Sequence, residues 1–139
     1  MIKALERLAE FAHNTYGLKL GQNTPDGQLD VIIDHYSKGL HWVILDAETA
    51  AHLDDWIQTY RAAGGQVLIE VSHWEDSHKP GKSEFDGWIV KGHEAGGSVG
   101  EETTFILLQK ALAATERPVY AHGGIGSRLK RIGGCCPRN

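Results

Sequence analysis

The sequence predicts an α/β protein of parallel strands with helices packed over them, and three observations carry that prediction. Short apolar runs centred near residues 18, 42, 69, 89 and 120 alternate with longer stretches of helical periodicity. The runs are rich in branched and aromatic side chains and lack the strict polar alternation of a sheet with one wet face. Glycines or polar turns separate the runs from the helices beside them. Strand and helix in repetition imply right-handed crossovers and a parallel sheet.

In chain order, Ile2, Leu5, Leu8, Ala9 and Phe11 recur at helical spacing, so residues 2–13 are predicted to form a helix that stops at Gly17. GLKLG at 17–21 follows as a strand, and NTPDG is a turn by composition. Asp26 is placed to cap a helix carrying Leu29, Ile32, Ile33 and Tyr36 and ending at Ser37, Lys38 and Gly39. LHWVIL, from Leu40 to Leu45, is the next strand, with Asp46 where strand gives way to helix. That helix, over about 47–63, turns Ala50, Leu53, Trp56, Ile57 and Tyr60 inward and stops at Gly64 and Gly65. QVLIEV at 66–71 is a buried strand, and SHWEDSHKPGKSEF after it holds one short helix and a loop. GWIVKG at 87–92 is a strand, residues 101–114 a helix with Phe105, Leu108 and Leu112 on one face, and RPVYAHGG at 117–124 a last strand running into glycines.

Composition narrows the function classes. A chain of 139 residues with 41% hydrophobic side chains is one domain by size and buries a core. The formal charge is −4 and the basic residues are scattered, so nucleic acid is not an expected partner. The N-terminus mixes charge into an amphipathic pattern, and no run approaches the roughly 18 apolar residues of a membrane helix. A cytoplasmic location is expected, with no membrane partner. Cys135 and Cys136 are adjacent, which suits neither a relaxed disulfide nor metal-ligand spacing. His73 and His78 stand near Glu75 and Asp76 without the i, i+4 histidine pair of a zinc helix, so a solvated face is expected there and no metal site.

Two segments carry chemistry. KGHEAGGSVGEETTF, Lys91 to Phe105, sets a glycine-rich loop between a strand and a helix, where α/β proteins bind ligands. Gly96 and Gly97 can bring bare N–H groups close to an anion or a flat ring, and the following helix offers its positive end. AHGGIG at 121–126 repeats the device on the next strand. Either loop alone is more simply a turn that needs positive φ. On consecutive strands the two together point to one phosphorylated cofactor. By count alone, five strands suit a small doubly wound sheet, since a complete eight-stranded barrel takes about 250 residues.

The content of those loops favours the barrel. DGWIVKGHEAGG, followed one helix later by RPVYAHGGIG, resembles the nitronate monooxygenase family of flavin-dependent β/α barrels, which includes flavin-type enoyl-acyl carrier protein reductases. GHEAGGSVGEETTFILLQ is more similar still to barrel domains of this family inside modular polyketide synthases. The resemblance runs from GLKLG to GGIG and implies a partial TIM barrel of about five parallel β-α units, strands three to seven of the family barrel, not closed. Residues 1–126 would be that partial FMN-binding domain. FMN would sit at the C-terminal mouth. Lys91, Gly92, Glu94, Ala95, Gly96 and Gly97 would form one side of the cofactor site, with residues 95–97 along the isoalloxazine and ribityl chain. His122, Gly123, Gly124, Ile125 and Gly126 would form the other, the glycines reaching the phosphate. Lys19 takes the place of a polar residue near the flavin.

One departure bears on catalysis. Family members that oxidise nitronates carry a histidine base directly after the paired glycines, and Ser98 stands there instead. A serine hydroxyl is no base near neutral pH without an activating partner. Ser98 and His93 are therefore the candidate catalytic positions, His93 as a substitute base by its ordinary pKa of about 6.5. Glu94 is equally a candidate cap for the following helix or an anchor of the loop. The tail SRLKRIGGCCPRN, residues 127–139, is basic and aperiodic where the family has a helix and its eighth strand, which suggests a frameshifted or truncated reading frame. Such a chain is expected to depend on the rest of a larger polypeptide, to pair as a homodimer or to settle as an open sheet. Its substrate would be a small molecule or an acyl group. Three functions follow: a flavin oxidoreductase domain inactive as this piece, a non-catalytic FMN- or acyl-binding barrel of a polyketide assembly line, or an unrelated open-sheet binding module.

Overall fold

Apolar side chains on both faces of each predicted strand call for cover on both, by helices or by a barrel interior. The computed structural model describes residues 2–12, 14–21, 24, 31–32, 39–49 and 53–124. Helix α1 (Ile2–Phe11) leads into β1 (Tyr16–Leu20). Strand β2 (Leu40–Asp46) ends in a 3-10 turn (Ala47–Thr49), and α2 (Leu53–Ala62) follows. Then come β3 (Gln66–Val71), a 3-10 turn (Trp74–His78), β4 (Gly87–Lys91), α3 (Thr104–Ala114) and β5 (Val119–His122). The helix predicted from Asp26 to Gly39 lies outside the described residues except at Val31 and Ile32, which are helical, and at Gly39, a turn residue with φ of 102°. The tail at 127–139, with Cys135 and Cys136, lies outside them altogether, as do Ile125, Gly126 and Ala50.

All four strand pairings are parallel, and the sheet runs β1-β2-β3-β4-β5 in sequence order. That order decides between the two architectures. A doubly wound sheet reverses direction at a switch point, whereas here each crossover advances one strand the same way. The chain is an open five-stranded arc of a TIM-type barrel.

Side chains alternate across the arc. Leu20, Val43, Leu45, Val67, Ile69, Val71, Trp88 and Val90 join the cluster that packs under the helices. Their neighbours Lys19, Ile44, Leu68, Glu70, Ile89, Lys91 and His122 belong to the opposite, inner face. Helix α2 buries Leu53, Trp56, Ile57 and Tyr60, as its periodicity predicts. It begins later than predicted because the Asp46 carboxylate accepts the Glu48 amide at 2.9 Å and holds a tight turn after the strand.

Helix α3 buries a side other than the row of Phe105, Leu108 and Leu112: Phe105 and Leu112 are 65% and 59% exposed, while Thr104, Leu107 and Ala111 are buried. The reason is the tether at its first residue: the Thr104 amide and hydroxyl are bound between the ends of β4 and β5. That bond sets the phase of the helix. A helix apolar almost all round cannot announce its inner face by periodicity. Among the described residues no helix is long and apolar enough to cross a membrane.

Candidate active site

The C-terminal ends of β4 and β5 release two glycine turns, and the backbone brings them into contact. Gly97, Gly123 and Gly124 have φ of 83°, 104° and 65°. A Cβ on Gly123 would stand 2.8 Å from the Ala95 nitrogen and 2.9 Å from the Ala95 Cβ, so the loops touch where only glycine fits. A Cβ on Gly96 would meet nothing within 4 Å, which leaves that stretch of backbone open to a ligand's approach.

Glu94 and Thr104 lock this arrangement. The Glu94 carboxylate accepts the Thr104 amide at 3.0 Å and lies 3.2 Å from the Thr104 hydroxyl, which is also 3.1 Å from the His122 carbonyl. The Gly92 amide donates to the Thr104 hydroxyl at 3.2 Å. Bonds from Thr104 hold the Glu94 carboxyl below its ordinary pKa of 4.5, because the backbone amide favours the charged form. Glu94 thus caps α3 and anchors the loop. At the start of α3, Glu94 occupies the Thr104 amide and the Thr103 hydroxyl that of Ile106.

Below the turns lies a cluster of charge. Glu70, 3% exposed, is met by the Lys19 ammonium in a close ion pair, by Lys91 Nζ at 3.7 Å and by His122 Nδ1 at 3.4 Å. Lys91 is itself 5% exposed, and its Nζ lies 3.5 Å from where a Cβ on Gly97 would stand. Lys19, Lys91 and His122, singled out from sequence, come together on Glu70, which sequence reasoning missed. Its signal was present: a lone acid in the apolar run QVLIEV, at the same strand end as Lys19, Lys91 and His122 in theirs.

The two catalytic candidates are placed apart from that cluster's hub. Ser98 is exposed one residue beyond Gly97, and the half-exposed His93 ring turns toward Glu94, with Nδ1 4.0 Å from its carboxylate. The polar stretch after β3 meets the 3-10 turn after β2 in a grouping the sequence did not predict: Glu48, His73 and Asp76 bring potential ligand atoms within 4.8 Å of one another. Lys79 already pairs with Asp76 at 2.9 Å. A hollow of about 240 Å³ between Trp74, Lys82, Phe85, Trp88 and Arg117 sits where β4 and β5 begin, at the other end of the strands from the glycine turns.

This geometry has counterparts among solved structures. Over 89% of its length the chain superposes on FabK from Thermotoga maritima with a TM-score of 0.76 and 26% identity, and on its M276A mutant with 0.77 and 26%. It folds like part of FabK. Nitroalkane oxidase from Streptomyces ansochromogenes matches over 90% of the chain at 20% identity and a TM-score of 0.62. The N-terminal domain of a putative aldolase from Bacteroides vulgatus matches over 88% at 14% and 0.59. The last two likenesses speak to the fold alone. The chain spans 40% of the FabK mutant chain and 48% of the nitroalkane oxidase chain. No family model matches it, and no curated protein does.

Proposed function

We propose that this chain is part of a flavin-dependent oxidoreductase barrel, with FMN as cofactor and chemistry of the nitronate monooxygenase or flavin enoyl-reductase type. The observation that carries this is the contact of the two glycine turns at 95–97 and 123–124 above a buried lysine. The likeness to part of FabK supports it. The donor set fits the group: backbone amides freed by positive φ suit a phosphate or a flat ring, and Lys19 and Lys91 suit its electron-rich edge. Gly96 and Gly97 would flank the ring, while Gly123 and Gly124 would hold the phosphate side with Ile125 and Gly126. When bound, FMN would supply the two-electron acceptor and donor that no side chain here can provide. Glu94 fixes the loop, and His93, whose ring turns toward Glu94, would be the candidate group for moving a proton at the turn.

A second reading, a non-catalytic FMN- or acyl-binding barrel of a polyketide assembly line, draws on Ser98 at the position where the family resemblance puts a base. In either case the rest of a longer polypeptide would complete the barrel, and a second copy of the chain is the other candidate to cover its open edges. Visible flavin absorbance of the purified protein after incubation with FMN tests the shared claim, and a colourless, flavin-free sample would overturn it. Bleaching of the bound flavin by NAD(P)H or a nitronate supports the oxidoreductase, and resistance to both supports the non-catalytic barrel.

A further inference from the structure

The charge cluster on the inner face contains one group that the proposed function does not use. Glu70 is a carboxylate buried in the middle strand, where an unpaired charge is strongly disfavoured. Its partners come from three other strands: Lys19 from β1, Lys91 from β4 and His122 from β5. Asp46 of β2, its register partner, is the remaining charged neighbour at that level, and the Glu48 amide holds the Asp46 carboxylate. The hub is sealed but the rim is open, with the Lys19 side chain 38% and that of His122 49% exposed. Lys91 leads from the hub to the Gly97 turn.

We propose that Glu70 is the positioning residue of this mouth. It gathers the Lys19 and Lys91 ammonium groups at one spot beneath the glycine turns, where their charge meets an anionic, acceptor-rich edge of the ligand. The Glu70 carboxylate faces two ammonium groups, so the hub orders the cations without cancelling both. Without Glu70 the two would repel each other, and Lys19 would swing into solvent. The role deepens the flavin assignment above and takes its ligand from it.

The experiment has two arms on the full chain. In the first, without flavin, lysines are acetylated with an N-hydroxysuccinimide ester and the rates read by peptide mass spectrometry. Lys19 and Lys91 are expected to react roughly tenfold more slowly than the exposed Lys3 and Lys82, as an ion-paired, hydrogen-bonded amine should. E70Q speeds Lys19 while Lys79 and Lys110, ion-paired elsewhere in the fold, keep their rates, and E70D restores protection. A general loosening of the fold would speed the lysines together, and unchanged rates in E70Q would overturn the role. In the second arm, FMN is titrated by fluorescence quenching. E70Q weakens binding roughly tenfold and E70D recovers part of it. Equal affinity for native and E70Q protein refutes the positioning role. No FMN binding by native protein, with the acetylation pattern as expected, refutes the flavin assignment and leaves Glu70 as the organiser of the lysines.

Discussion

Replacing Gly123 by alanine, with Gly96→Ala as its partner experiment, tests the touching turns directly. At Gly123 the backbone has φ of 104°, and an added Cβ would lie 2.8 Å from the Ala95 nitrogen and 3.1 Å from its Cα. Both neighbours are backbone or Cβ, so no flexible side chain can swing aside. Positive φ costs a non-glycine residue about 1–3 kcal/mol, and overpacking a fixed contact adds about 1–3 kcal/mol. The turns relieve part of this by parting, which leaves an expected loss of about 2–4 kcal/mol in urea unfolding. Gly96 has no contact within 4 Å of an added Cβ, so Gly96→Ala is expected to change stability by no more than about 0.5 kcal/mol. For FMN, followed by fluorescence quenching, both variants weaken binding: the first by separating the two cradles, the second by placing a methyl on the approach. Native stability in Gly123→Ala would mean that the turns do not meet. A loss of more than about 1 kcal/mol in Gly96→Ala would mean that its surroundings are not open.

Further outcomes follow from the same geometry. Leu107→Ala is expected to cost about 2–5 kcal/mol, and Leu112→Ala, on the exposed face of the same helix, less than about 0.5 kcal/mol, both by urea denaturation; equal losses would mean that the helix does not bury its Leu107 side. Thr104→Val removes one of the two acceptors of the Gly92 amide, the His122 carbonyl at 3.3 Å being the other, together with the hydroxyl's bond to that carbonyl; it is expected to cost about 1–3 kcal/mol, visible also as faster amide exchange at Gly92 by NMR. Glu94 has its carboxyl pKa lowered in the fold by the Thr104 amide, so its contribution is complete above the ordinary value of 4.5 and is lost as pH falls through the lower folded value. The stability difference between native protein and Glu94→Gln should therefore shrink as pH is taken from neutral into that acid range, and a constant difference would remove the charged cap.

How much of this was legible depended on whether local chemistry or tertiary bonding set the outcome. QVLIEV became a strand over the residues predicted because its side chains are apolar on both faces and both ends are punctuated. The order of strands could not be read from periodicity, since a barrel arc and a doubly wound sheet use the same β-α units; the resemblance of GHEAGG and GGIG tipped that choice. The phase of α3 was hidden because Thr104, a polar residue, is its anchor, and polar anchors do not register in an apolar pattern. Glu94 was legible as a cap from its place before a helix. Glu70 was overlooked because a single acid in an apolar strand was counted as strand and not as charge.

The inner face is graded along its length, and that gradient explains why the chemistry has one address. Ile44, Leu68 and Ile89 fill its middle with apolar surface, whereas Lys19, Asp46, Glu70, Lys91 and His122 cluster toward the C-terminal strand ends. In a parallel sheet every strand delivers its C-terminus to the same side, so one ionisable residue near each strand end is enough to assemble a charged ring without any long-range sequence signal. The apolar floor strengthens the ring's electrostatics by keeping water to one side. On the proposed reading, a ligand entering from the other side would meet the glycine amides first and the Glu70-held lysines beneath them, an order of contact that would favour a flat, anionic molecule over a neutral one.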